Sequence, residues 1–224
     1  MRKLLFSIFL FIVGFSFPAS ASVIILQPNS VDGKDANISN GDAANLNLGD
    51  NDSVVINWGY DTRSIGLIEF DLSAIPEGAN INSATLEMYH GANSCYGCEY
   101  ELYRVTSAWS EQSVTFNTAP SYDPLVEATL LIEDTMFGGI YRSWDITSLV
   151  TGWHSNSYDN YGMWVEGNFD LQNAVAYFRS SDSSASFRPK LTINFSTNSI
   201  PEPAPLALVG LGLIGLGIVR KRRG

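Results

Sequence analysis

The residues with the most chemistry in this 224-residue sequence are carboxylates, tyrosines, arginines and one closely spaced cysteine pair. Asp32, Asp35, Asn37, Asp42, Asp50, Asn51 and Asp52 fall in loop-like surroundings within about twenty residues. Hard cations take several such oxygens at once, so a structural Ca²⁺ on Asp32, Asp35, Asp42, Asp50 and Asp52 is one reading. Turn-forming Asp and Asn explain the same composition with no metal, and no EF-hand spacing is present. Cys95 and Cys98 flank Tyr96-Gly97 between two strand candidates. A local disulfide suits an exported protein. A redox pair needs a depressed thiolate pKa, against which Glu99 and Glu101 act, and a zinc site has only His90 nearby.

Catalytic patterns are sparse. There are two histidines, His90 and His154, no Gly-x-Ser-x-Gly elbow and no His-Glu-x-x-His helix, which leaves serine-hydrolase and zinc-protease chemistry without support. Glycoside hydrolysis needs only two placed carboxylates, and a lyase can use Tyr as base, but nothing in the sequence singles out a pair. Binding chemistry is better supplied. Tyr89 on a polar strand face, Tyr96 in a loop, and Tyr158 and Tyr161 after a helix are candidate exposed platforms on which a ligand ring can stack. Arg63, Arg142 and Arg179 are candidate bidentate partners for uronate or sulfate groups, with neutralisation by a neighbouring carboxylate as the alternative for each. Trp109, Trp144 and Trp153 read as core.

These side chains must be positioned by strands. Ile68, Phe70 and Leu72 alternate with Glu69 and Asp71; Ala84, Leu86 and Met88 alternate with Thr85, Glu87 and Tyr89; Leu191, Ile193 and Phe195 alternate with Thr192 and Asn194. Period-two alternation marks half-buried strands. Shorter candidates are 23–26, 54–58, 100–105, 114–116, 127–132, 162–165 and 175–178. With Gly, Pro, Asn and Asp turns between them, they predict an all-β, antiparallel sandwich of jelly-roll type. One helix is expected, beginning at Ile146 behind a capping Asp145, with Ile146, Leu149, Val150 and Trp153 on a single stripe closing one end of the sandwich.

The termini carry the addresses. Arg2 and Lys3, an apolar run from Leu4 to Phe17 and Ala19-Ser20-Ala21 have the three regions of a secretory signal peptide, 1–21. At the other end, 204–219 is apolar and Gly-rich, about 24 Å long as a helix, short of the roughly 30 Å bilayer core. Arg220, Lys221, Arg222 and Arg223 follow, which places that end on the cytoplasmic side. Between the two segments, 22–198 carries seven Lys and Arg against twenty-two Asp and Glu, a balance of −15. Such a surface disfavours nucleic acid, and repels a polyanionic glycan unless a basic patch or a bridging cation intervenes.

Pro201-Glu202-Pro203, the Gly-rich apolar helix and the terminal Arg cluster together resemble the PEP-CTERM sorting signal of Gram-negative bacteria, 199–224. That resemblance implies a transient stay in the inner membrane, an exosortase partner that cuts near the triplet, and delivery to the cell surface or extracellular matrix; an unprocessed tail anchor is the alternative. The segments starting at Arg63, Ile81, Tyr103, Val114, Trp144 and Phe187 resemble, in order, the DNRLRE domain of secreted surface proteins. That implies a sandwich similar to carbohydrate-binding modules: non-catalytic, requiring no cofactor and binding polysaccharide. A purely structural envelope protein and a polysaccharide lyase or hydrolase are the competing readings.

Overall fold

The computed structural model describes residues 20–59, 61–93, 97–133, 138–168 and 174–197, without the side chains of 20, 93 and 174. Residues 1–19 of the expected signal peptide, the expected sorting tail 199–224, Cys95 and Tyr96 lie outside the described residues. The chain divides into two units, 21–197 and the termini 1–20 with 198–224; the description that follows is of the first. Among the described residues no helix is long and apolar enough to cross a membrane.

The strands are β1 (Ser20–Leu26), β2 (Lys34–Ser39), β3 (Ser53–Trp58), β4 (Arg63–Glu69), β5 (Asn80–Asn93), β6 (Cys98–Val105), β7 (Tyr122–Ile132), β8 (Ile140–Asp145), β9 (Met163–Asn168), β10 (Ala174–Arg179) and β11 (Lys190–Thr197). They run in the order β1-β11-β5-β10-β3-β4-β9-β6-β7, with β2 on β4 and β8 on β5. Every pairing whose register is resolved is antiparallel. The expected all-β architecture is what forms, as a curled sheet that folds over itself. Strand β5 makes the curl: its first half pairs with β11, and its last residues, after a register shift at Tyr177/Phe178, pair with β10.

Alternation decides which side chains fill the interior. Val54, Ile56, Ile68, Leu86, Met88, Tyr100, Leu102, Trp144, Met163, Val165, Phe178, Leu191 and Ile193 form the main core. The opposite face of β4, β9 and β6 builds a second, smaller core of Ile65, Leu67, Tyr103, Val105 and Trp164, closed by Ala36 and Ile38 of β2 and by Val114 of the 106–121 loop. Strands β4 and β9 are therefore apolar on both faces over part of their length, which blurs the two-residue period there.

The helix α1 (Thr147–His154) forms where expected, with Ile146, Leu149, Val150 and Trp153 buried. Its cap differs by one residue: Asp145 Oδ1 accepts from the Thr147 backbone N–H at 2.9 Å and from Thr147 Oγ1 at 2.6 Å. These bonds hold the Asp145 carboxyl below its ordinary pKa. Two expectations are corrected. The 114–116 stretch is no strand, since Thr115 caps a 3₁₀ turn, Phe116–Thr118. The 32–39 stretch, read as loop, contributes β2.

Candidate functional site

Where the smaller core ends, the same face of β4, β9 and β6 gathers charged, polar and aromatic side chains that suit a polar ligand. Trp58 ends β3 opposite Arg63 at the start of β4. Arg63 places its guanidinium 4.9 Å from the centroid of the Trp58 ring and 5.7 Å from that of Trp164. It donates to Glu166 Oε2, and Trp164 Nε1 donates to the same oxygen at 3.1 Å. Burial works against the Arg63 charge, but the Glu166 carboxylate outweighs it and holds the guanidinium above its ordinary pKa.

Glu166 lies directly across from Glu101 of β6. Like charges opposed on neighbouring strands are unfavourable unless compensated. Here Glu101 accepts from Tyr103 Oη at 2.5 Å and from Asn168 Nδ2 at 2.8 Å, while Arg63 answers Glu166. Burial, then the Glu101 carboxylate, push the Tyr103 phenol up and keep it a donor. Tyr122 stacks on Trp164 at 4.4 Å and meets Tyr103 edge-on at 5.4 Å, so the row rests on a packed aromatic base. Trp58 is the ring left open to solvent, at 39% exposure. Away from this face, a hollow of about 530 Å³ is lined by Trp109, Ser110, Ser113 and Thr118; Trp109 is anchored there through Nε1 to the Tyr161 carbonyl, under the ammonium of Lys34.

Of the described residues singled out in the sequence, Arg63 belongs to this cluster. Tyr89 lies on the outer face of β5 and packs against Tyr141 and Phe187 at 5.4 and 4.4 Å. Tyr158 is no free platform: its ring lies 4.3 Å from the Arg104 guanidinium and over Gly152, where an added Cβ would come within 2.1 Å of it. Tyr161 packs partly against the smaller core, and its hydroxyl bonds Asp159 at 3.3 Å. Arg179 pairs with Asp52 at 2.8 Å, and Arg142 is half-buried on β8 opposite Met88. Cys98 is disulfide-bonded, and Cys95 is the one other cysteine in the chain.

The five aspartates do not meet. Asp32 bonds the Asn29 amide, Asp42 is exposed in a 3₁₀ turn, Asp52 pairs with Arg179, and Asp50 accepts from Gln112. Asp35 alone enters a carboxylate cluster, and its companions are Glu111 and Asp182. Trp58, Glu101, Tyr103, Trp164, Glu166 and Asn168 went unrecognised as a set. Their signal was the alternation Glu99-x-Glu101-x-Tyr103 and Trp164-x-Glu166-x-Asn168, which puts each trio on one strand face.

Comparison with known proteins returns two matches. Residues 29–195 match carbohydrate-binding module family 96, over nearly the stretch that carries the DNRLRE-like segments, and residues 199–223 match the PEP-CTERM protein-sorting motif. No curated protein matches the chain. The sorting motif implies export to the envelope of a Gram-negative bacterium by the exosortase route. With three quarters of its length under one family profile, and an all-β domain beneath it, this chain belongs to carbohydrate-binding module family 96.

Proposed function

We propose that the protein is a non-catalytic polysaccharide-binding protein of the cell surface or extracellular matrix, and that Trp58, Arg63, Glu101 and Asn168 form its sugar-binding face. The exported portion starts after the signal peptide, 1–21. Exosortase processing near Pro201-Glu202-Pro203 frees the 22–198 domain from the inner membrane.

The observation that carries this reading is the open Trp58 ring beside a guanidinium fixed by Glu166. A pyranose stacks its apolar face on such a ring while its hydroxyls meet the Arg63 and Asn168 donors and the Glu101 acceptor. The rigid base favours affinity, because little side-chain freedom is lost on binding. The excess of carboxylates over the domain favours an uncharged chain over a polyanionic one. Non-catalytic action is supported by the state of Glu101 and Glu166. Each carboxylate is already engaged by two protein donors, which suits fixed acceptors better than a proton shuttle.

Affinity electrophoresis of the full chain in detergent, through gels containing neutral or uronate-rich polysaccharides, tests the reading. Saturable retardation by a polysaccharide, lost in W58A with an unchanged melting temperature, is the expected result. No retardation by any glycan would leave a structural envelope component, and release of oligosaccharides from the gel matrix would establish an enzyme.

A further inference from the structure

Asp35 is a buried carboxylate that the protein itself leaves unfinished. It sits on β2 at 2% exposure. Its Oδ2 accepts from the Ser181 backbone N–H at 2.9 Å, whereas Oδ1 has no hydrogen-bond partner. Two further carboxylates converge on it: oxygens of Asp35, Glu111 and Asp182 all lie within 4.8 Å of one another. Ser181 Oγ stands beside Asp35, buried and without a hydrogen bond of good geometry. Gly33 makes room for it, since a Cβ there would come within 2.2 Å of that oxygen. Among the described residues no Lys or Arg forms an ion pair with any of the three carboxylates. Asp50, which accepts from Gln112, adds further negative charge nearby. The nearest influence of opposite sign is Arg188, which acts on Asp182 alone.

We infer that Asp35, Glu111 and Asp182 are the protein ligands of a hard divalent cation, Ca²⁺ being the best fit, with Ser181 Oγ as a neutral fourth donor. Three carboxylates and a hydroxyl, completed by water, match the oxygen-only coordination of six to eight that Ca²⁺ adopts; Mg²⁺ demands a stricter octahedron than loops of different origin supply. The ligands come from β2, the 106–121 loop and the 180–184 turn. Hydrogen bonds join the same region to the 47–52 loop: Asn47 Nδ2 to the carbonyls of Glu111 and Val114, and Ser180 Oγ to the Asn51 carbonyl. A cation at this point ties together three segments far apart in sequence, two of which are hydrogen-bonded to the 47–52 loop. Burial raises the Asp35 carboxyl to about 6 and the Glu111 carboxyl to about 7, a cost to their charged forms that a nearby positive charge would offset. The site lies apart from the Trp58 face and does not depend on the sugar-binding reading.

The test is calorimetric titration of CaCl₂ into the full chain in detergent, after treatment with EGTA. One Ca²⁺ per chain is expected, with Kd of roughly 10⁻⁴ to 10⁻³ M or tighter, and a melting temperature that rises with Ca²⁺. Each of E111Q and D182N, isosteric changes at half-buried positions, should weaken Kd at least tenfold while still melting cooperatively; D42N should leave it unchanged. Absence of both heat and a melting shift at millimolar Ca²⁺ would overturn the assignment, as would wild-type affinity in E111Q and D182N. A variant that fails to melt cooperatively is replaced by D35N, for which the same tenfold criterion decides.

Discussion

Replacing Asp35 by Asn tests the cation cluster without reference to any ligand on the sugar face. Two unit charges 4.8 Å apart repel by about 3 to 4 kcal/mol at an effective dielectric of about 20. Independently, burial moves the Asp35 carboxyl from 3.8 to about 6, worth about 3 kcal/mol at about 1.4 kcal/mol for each pKa unit. The first is repulsion and the second is mainly desolvation with a smaller repulsion from Asp182, so the two overlap and are not summed. Glu111 and Asp182 are half-buried, so water screens part of the repulsion, and about 1 to 3 kcal/mol is the working value. The Asn side chain keeps the acceptor for the Ser181 N–H and removes the charge. In EGTA at pH 7.5, D35N should therefore melt above wild type, by roughly 3 to 10 °C for a domain of this size. In saturating Ca²⁺ the order should reverse, because only wild type gains from the ion. Scanning calorimetry in both buffers reads the four melting temperatures. If D35N melts below wild type in EGTA, the carboxylate is favourable without a metal and the reasoning fails.

The metal-free domain should also be more stable at pH 5 than at pH 8. Folded-state pKa values raised to about 6 and about 7 mean that stability is full below the unfolded carboxylate range and is lost as pH rises through those values. Urea unfolding in EGTA across this window checks the sign, and Ca²⁺ should flatten the profile. On the sugar face, R63A leaves Glu166, whose side chain is 12% exposed, without its cation beside the opposed Glu101. A loss of about 2 to 3 kcal/mol by urea unfolding is expected, whereas R63A with E166Q should recover most of it. At Gly152 in α1, Ala would normally stabilise a helix by about 1 kcal/mol. Here the added methyl meets the Tyr158 ring at 2.1 Å, so G152A should instead cost about 1 to 3 kcal/mol by thermal melting, and less in a Y158A background.

Where one strand face is apolar and the other polar, the sequence was readable. Ala84, Leu86 and Met88 against Thr85, Glu87 and Tyr89 set both the position and the orientation of β5, and the stripe Ile146, Leu149, Val150, Trp153 located α1 to within a residue. Strand β2 was hidden because Asp35 and Asn37 are buried polar residues. Asn37 spends its amide on the Val55 and Ile65 carbonyls and Asp35 turns toward the carboxylate cluster, so the polar face of Asp35-Ala36-Asn37-Ile38-Ser39 is buried too, and its Asp and Asn read in the sequence as turn formers. Grouping carboxylates by sequence proximity failed for a related reason. Asp35, Glu111 and Asp182 are 76 and 71 residues apart in succession, and only the curled sheet brings them together. Tyr158 was misjudged because its platform is not solvent but the missing side chain of Gly152.

The domain holds two assemblies of opposed carboxylates and treats them in opposite ways. Glu166 is buried and paired with Arg63, Glu101 is hydrogen-bonded by Tyr103 and Asn168, and both are held as fixed acceptors. Asp35 and Glu111 each accept one backbone N–H bond, none of Asp35, Glu111 and Asp182 forms an ion pair with a Lys or Arg among the described residues, and the three converge around a buried oxygen with no partner. The first arrangement presents complementary polar atoms to uncharged hydroxyls without needing rearrangement. The second gains stability from a charge supplied from outside, the divalent cation inferred above. The sorting tail is compatible with that division. On the proposed processing near Pro201-Glu202-Pro203 the domain loses its membrane attachment, and its place in the envelope would then rest on the proposed Trp58 face and the inferred cation.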